Sequence, residues 1–204
     1  MGPPFIAVLD YGIGNLRSAE KALQKVGAAA ALVCEADQAA GAAGVVLPGV
    51  GAFGPCMAAL RRSGLDRVAV DAVERGTPFL GICIGLQMCY EGSEEDPATA
   101  GLGLLPGTVR RLTGAVKRPQ MQWNRLDLTG APSRLLAGVD EPAWVYFVHS
   151  YAPGPGAGVV ATCDYGGPVV AAVEHGPLWA TQFHPEKSSR TGLRLLANFV
   201  AACG

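Results

Sequence analysis

The sequence predicts an α/β protein with a central, mostly parallel sheet flanked by helices and additional antiparallel strands in the second half. Three observations lead there. Continuous apolar runs at residues 5–9, 28–34 and 44–47 alternate with segments of helical periodicity, the pattern of strands covered on both faces by crossover helices. Glycine-rich turns at 10–15, 48–51 and 81–85 each follow an apolar run, at the strand ends where such sheets form their binding crevice. After residue 91 the helical periodicity gives way to short strand-like segments separated by turn residues.

Length and composition narrow the classes. A chain of 204 residues, 50% hydrophobic, suits one domain over residues 1–204 better than two. A net charge of -1 gives no broad attraction to nucleic acid or to an anionic membrane. The pairs Arg61-Arg62, Arg110-Arg111 and Lys117-Arg118 read as solvated surface. No apolar run approaches the ~20 residues a membrane span needs, and 5–9 is too short for a secretory signal. The six cysteines (34, 56, 83, 89, 163 and 203) form no C-x-x-C pair. They read as reduced thiols of a cytoplasmic protein, not as a disulfide frame or zinc site, and no metal or cofactor is expected.

In chain order, 5–9 (F-I-A-V-L) is the first strand. Gly12-Ile13-Gly14 turns out of it, and Asn15 is placed to cap a helix in which Leu16, Ala19, Leu23 and Val26 recur at helical spacing before Gly27 ends it. Gly12 and Gly14 begin a G-x-G-x-x-G, but Arg17 stands where the third glycine would be, so the dinucleotide fingerprint fails. Strands at 28–34 and 44–47 follow, then Pro48-Gly49-Val50-Gly51, then helical pieces at 57–60 and 65–73 divided by Gly64. A short strand at 78–80, the turn Gly81-Ile82-Cys83-Ile84-Gly85 and a helix over 86–90 complete the first half. Glu91, Glu94, Glu95 and Asp96 read as a solvated loop. Strands are expected at 107–112, 122–128, 144–149, 158–163, 169–174 and 178–183. Leu193, Leu196, Ala197 and Val200 mark a last amphipathic helix capped by Ser188 or Ser189.

The chemistry is concentrated at Cys83. Strand, sharp turn and helix with a glycine two residues to either side of a thiol is the cysteine version of the G-x-S-x-G nucleophile elbow. The glycines serve a turn that brings strand and helix backbones too close for a Cβ. The alternative is a buried cysteine in a glycine-rich loop. A thiol nucleophile needs a base, an orienting group and an oxyanion hole. Of three histidines, His175 sits in a turn, Glu174-His175-Gly176-Pro177, and His149 ends an apolar strand, where it lines a pocket or merely fills the strand end. His184 is followed by Pro185-Glu186. An extended His-Pro-Glu puts residues 184 and 186 on the same side, so Glu186 would fix the tautomer that leaves the other imidazole nitrogen for Cys83. H-P-E also occurs in ordinary loops. The backbone N–H of Ile84, after the nucleophile, is one expected oxyanion donor; a second could come from 48–51, where the glycines flanking Val50 would let that peptide approach or flip toward the site, and the same segment also reads as a tight βα turn.

Together these residues resemble the class I (triad) glutamine amidotransferases. Within that class the chain is similar to the HisH family, the glutaminase subunits of imidazole glycerol phosphate synthase in histidine biosynthesis. The resemblance runs over essentially the whole chain: Asp10-Tyr11-Gly12-Ile13-Gly14-Asn15-Leu16, Pro48-Gly49-Val50-Gly51, the elbow around Cys83, Trp123-Asn124, Phe147-Val148-His149-Ser150-Tyr151 and His184-Pro185-Glu186-Lys187. It implies that Cys83 attacks the side-chain amide of L-glutamine, with His184 as base and then acid and Glu186 as its partner. Gly51, Gln87 and the Ser150-Tyr151 backbone would hold the glutamine. It also implies a heterodimer with a HisF-type (βα)8-barrel cyclase, which uses the ammonia to make imidazole glycerol phosphate and AICAR from PRFAR. Asn15, Trp123 and Lys187 match positions at or near that interface. One departure is Gln120-Met121-Gln122-Trp123-Asn124, where the family usually reads H-M-G-W-N; it touches the docking geometry and leaves the triad intact.

Three further readings share these residues, one of them a cysteine hydrolase or peptidase of similar fold, which would not need a synthase partner. Glutaminase subunits for anthranilate or GMP synthesis have the elbow and H-x-E, but differ in the glycine turns and in Trp-Asn. A non-catalytic regulatory subunit of the same fold would be expected to have lost one of Cys83, His184 or Glu186.

Overall fold

The computed structural model describes residues 2–204. The first half alternates as expected: β1 (Phe5–Leu9), α1 (Leu16–Lys25), β2 (Ala29–Val33), β3 (Gly44–Gly49), α2 (Phe53–Ser63), α3 (Leu65–Glu74), β4 (Phe79–Cys83) and α4 (Ile84–Met88). The second half is strand-rich: β5 (Tyr90–Ser93), β6 (Leu105–Arg111), β7 (Gln120–Arg125), β8 (Asp127–Leu128), β9 (Trp144–His149), β10 (Tyr151–Pro153), β11 (Val159–Asp164), β12 (Pro168–His175) and β13 (Leu178–Thr181). A 3-10 turn at Pro185–Lys187 leads into α5 (Ser189–Ala202).

The main sheet has eight strands in the order β2-β1-β3-β4-β13-β12-β11-β8. The five strands from β2 to β13 are parallel, and β12, β11 and β8 continue the sheet with antiparallel pairing. The inner parallel strands β3 and β4 are apolar and buried throughout because both faces are covered, whereas the edge strand β2 is exposed at Ala29 and Ala31. Phe53, Met57, Leu60, Phe79 and Phe199 carry the packing between helices and sheet. Separate small sheets, β10-β6-β5 and β7-β9, lie outside this layer.

Register decides where the chemistry sits. Gly49 of β3 pairs with Cys83 of β4, and Thr181 of β13 pairs with Ile82. The carboxyl ends of three adjacent parallel strands therefore coincide, each followed by one expected site segment: Val50-Gly51, Ile84-Gly85 and His184. A strand from the end of the chain lies directly beside the elbow strand, which no local pattern reveals.

The structure shifts several expectations. The strand before the elbow extends to Cys83 itself, and α4 ends at Met88 instead of reaching 90, because Tyr90 begins β5. The acidic stretch is not a free loop: Glu91 and Glu94 accept the backbone N–H groups of Gly107 and Arg111 in β6. The segment 122–128 divides into β7 and β8, and β10 was not anticipated. Ser188 does precede α5, but its Oγ donates to the carbonyl of His184 at 2.6 Å and accepts from Tyr146 N at 3.0 Å instead of capping the helix. The buried face of α5 is Leu195, Leu196, Phe199 and Val200, a rotation from the stripe read off 193, 196, 197 and 200. Among the described residues no helix is long and apolar enough to cross a membrane.

Candidate active site

Cys83 ends β4 and begins α4 with φ 57° and ψ -108°, and among the described residues only one other non-glycine residue, Ser189, has positive φ. An L-residue is held there only when its surroundings over-determine it. Those surroundings are close backbones. A Cβ on Gly81 would lie 2.9 Å from Gly85 O, and a Cβ on Gly85 would overlap the carbonyl of Leu47 in β3. The two elbow glycines thus answer different neighbours, one the turn's own helix and the other the adjacent strand.

Around the thiol lies a pocket of about 240 Å³. Of the residues expected in a site, Val50, Gly51, Cys83, Ile84, Gln87, Ser150, Tyr151 and His184 all line it. Glu95, Pro119, Val148 and His149 line it as well. Cys83 is 3% exposed, and its sulfur lies 3.9 Å from Val148 O and 3.8 Å from Gln182 Nε2.

His184 stands behind the sulfur with Nδ1 2.8 Å from Glu186 Oε1, both side chains 2% exposed. The contact orients Nδ1–H toward the carboxylate, and the buried Nε2 has no partner among the described residues. Burial pulls the imidazole down, but the Cys83 sulfur and the Glu186 carboxylate outweigh it and raise its pKa to about 9. The sulfur exerts this influence at short range without reaching hydrogen-bond geometry to Nε2. Backbone contacts fix the segment: His184 N donates to Tyr146 O at 3.0 Å, and Lys187 N to His184 O at 3.0 Å.

The glutamine-contact candidates form one connected unit. Gln87 Nε2 donates to Tyr151 O at 2.9 Å and to Gln182 Oε1 at 3.1 Å, and its own Oε1 is buried without a partner among the described residues. His149 Nδ1 lies 2.8 Å from the same Tyr151 carbonyl, leaving Nε2 buried and free. Burial lowers the pKa of His149 to about 4, aided by the nearby His184 and opposed by the Tyr151 carbonyl, so the ring is neutral near pH 7. Both readings of His149 hold, since it fills a strand end and lines the pocket.

The Pro48–Gly51 segment is clamped from behind. Tyr11 Oη donates to Pro48 O at 2.8 Å, and Cys56 Sγ to Val50 O at 3.3 Å. A Cβ on Gly49 would stand 2.8 Å from Tyr11 Oη and 2.9 Å from Ile84 Cβ, so only glycine fits between Tyr11 and the elbow.

Sequence reasoning passed over Glu95, Gln182 and Tyr11. Glu95 had seemed part of a solvated acidic run. Its Oε2 accepts from Phe53 N at 2.8 Å, at the start of α2, and its carboxylate puts negative charge on the pocket wall. No pattern around it signals this, because β5 and the turn after it are placed by pairing with β6. The remaining expected residues lie outside the pocket. Asn15 Nδ2 donates to Glu186 Oε1 at 3.2 Å. Lys187 is exposed. Trp123 is 46% exposed on β7, set edge-on to Tyr146 with ring centroids 6.2 Å apart, near Met121 and Trp144, which are 61% and 49% exposed. His175, expected in a turn, is instead the exposed last residue of β12, paired with Leu178 of β13.

Comparison with known proteins gives the same direction. The family model "Glutamine amidotransferase class-I" matches residues 7–203. The imidazole glycerol phosphate synthase subunit HisH of Synechococcus sp. (strain JA-2-3B'a(2-13)) is 49% identical, covering 98% of this chain and 94% of the relative. The subunit of the same name from Thermobifida fusca (strain YX) is 47% identical, covering 97% and 98%. Among solved structures, a glutamine amidotransferase superposes with a TM-score of 0.76 at 23% identity over 98% of both chains. PurLQS of Thermotoga maritima superposes at 0.75 and 21% identity, again over 98% of both. At those identities the structures speak for the fold alone.

Proposed function

The chain belongs to the class I glutamine amidotransferase family, and from that premise we propose that it is the glutaminase subunit of an imidazole glycerol phosphate synthase. It hydrolyses L-glutamine to glutamate and ammonia. The observation that carries the mechanism is the shared pocket of Cys83 and His184, with Glu186 holding the far nitrogen of the imidazole.

The steps follow from that geometry. Cys83 Sγ, its proton already held on Nε2 of His184, attacks the side-chain amide carbon. The new oxyanion is met by the backbone N–H groups of Ile84 and Val50 at the pocket wall. His184 returns the proton to the departing nitrogen, the C–N bond breaks, and ammonia leaves a glutamyl thioester. Water then attacks with His184 again as base, the C–S bond breaks, and glutamate and the thiol are regenerated. Gly51, Gln87 and the Ser150-Tyr151 backbone hold the glutamine. Glu95 supplies the negative charge suited to its α-ammonium group.

The relatives at 44–50% identity carry the name of this synthase, which favours it over anthranilate or GMP synthesis. Retention of all three triad residues, with His184 and Glu186 in contact and Cys83 in the same pocket as His184, argues against a non-catalytic regulatory subunit. The ammonia passes to a HisF-type (βα)8-barrel cyclase in a cytoplasmic heterodimer, where it supports formation of imidazole glycerol phosphate and AICAR from PRFAR. Residues 1–204 act as one amidotransferase unit. The exposed Trp123 and Lys187, with Asn15 beside Glu186, suit the docking face. Glutamate release should be measured for the pure chain with and without the cyclase and its nucleotide ligand. Strong stimulation by the loaded cyclase is expected, and equal rates would overturn the partner-dependent reading.

A further inference from the structure

We propose that Asn15 is a positioning residue for the triad, its side-chain amide fixing the Glu186 carboxylate and, through it, the imidazole of His184. The proposal rests on the triad reading above. Asn15 is placed by sequence to cap α1, yet it makes no side-chain cap bond, and its φ of -87° and ψ of 52° are not the extended geometry of a capping residue. The amide crosses instead to a residue 171 positions away and donates to Glu186 Oε1 at 3.2 Å.

That oxygen carries the whole load. Oε1 of Glu186 accepts from both His184 Nδ1 and Asn15 Nδ2, whereas Oε2 is buried without a partner among the described residues. A carboxylate held by the imidazole alone could turn and present either oxygen. A second donor on the same oxygen selects one orientation and keeps it as the ring loses and regains its proton. The ring faces the Cys83 sulfur from β4 and His149 from β9, and Glu186 from its own turn, so Asn15 is the neutral donor acting on the anionic side of this group. Its effect falls on the steps in which His184 gives up and regains its proton, not on glutamine binding, because Asn15 lies outside the pocket.

The test uses the full chain assayed with saturating HisF-type cyclase, comparing wild type with Asn15→Leu, which keeps the branched shape and removes the donor. Loss of a hydrogen bond to a charged group predicts a fall in kcat of roughly tenfold or more with KM within about twofold. The downfield proton resonance of His184 Nδ1 should also shift or broaden. Asn15→Ser, a smaller donor, should show a partial loss and serves if Asn15→Leu does not fold. An unchanged kcat with only a higher cyclase concentration for half-activation would overturn the proposal, since Asn15 would then serve docking alone. Cys83→Ala run alongside separates the two levels. Activity retained there brings down the triad, whereas an inactive Cys83→Ala beside a normal Asn15→Leu brings down this inference only.

Discussion

His184 Nδ1 and Glu186 Oε1 lie 2.8 Å apart, and both side chains are almost sealed from solvent. Glu186→Gln keeps an acceptor for Nδ1–H but removes the charge. Because Glu186 helps raise His184 to about 9, the variant's imidazole should titrate at lower pH, measurable by NMR. Glutaminase kcat should fall by roughly 10²-fold or more, as the imidazolium loses its counter-charge. An unmoved His184 titration would separate Glu186 from the triad.

The two buried histidines should give stability opposite pH dependences. His149 falls from 6.5 to about 4 on folding, so its contribution is complete above 6.5 and is lost as pH drops through about 4. His184 rises from 6.5 to about 9, so its contribution is complete below 6.5 and is lost as pH climbs through about 9. Thermal melts of wild type and His149→Phe between pH 4 and 6.5 test the first half. The variant should lose less stability across that window than wild type, and parallel curves would contradict the assignment.

Gly85→Ala should damage the protein through the fold before the chemistry. The new methyl group would collide with the Leu47 carbonyl of β3, a backbone atom that cannot move without displacing the strand. A loss of at least about 3 kcal/mol in denaturant unfolding is expected, or failure to fold. Gly76→Ala meets no atom within 4 Å but sits at φ 77°, so its smaller cost isolates the conformational part from the collision.

How much of this was legible depended on where the determining contact lies. The apolar runs of β1 and β3, the elbow and the H-P-E stretch each carry their reason locally, in composition and in the glycines that permit close approach. The partnership of Cys83 and His184 was readable only as a chemical need. Its physical cause is the parallel pairing of β13 with β4, between segments nearly a hundred residues apart. Asn15 and Ser188 show the converse. Both occupy cap positions by local rules, and both give their side chains to the His184–Glu186 segment instead. Glu95 was hidden by its neighbours, since an acidic run looks the same whether it is solvated or, as here, pinned by α2 and β6.

The exposed aromatic face around Trp123 predicts a separable docking effect. Trp123→Ala removes a half-exposed ring from a surface that also carries Met121 and Trp144. Binding to the HisF-type cyclase should weaken by roughly 10- to 100-fold, the range for a central aromatic anchor. The melting temperature of the free subunit should hardly change. Undiminished affinity in a titration would move the interface elsewhere.

The most direct test of the account is glutamate release from glutamine by Cys83→Ala with the loaded cyclase present. The strained elbow, the pocket and the His184–Glu186 pair all converge on that one sulfur. The account predicts that the variant folds, binds the cyclase and releases no glutamate above background, while added ammonia still supports the cyclase reaction. Glutamate release at the wild-type rate would contradict it.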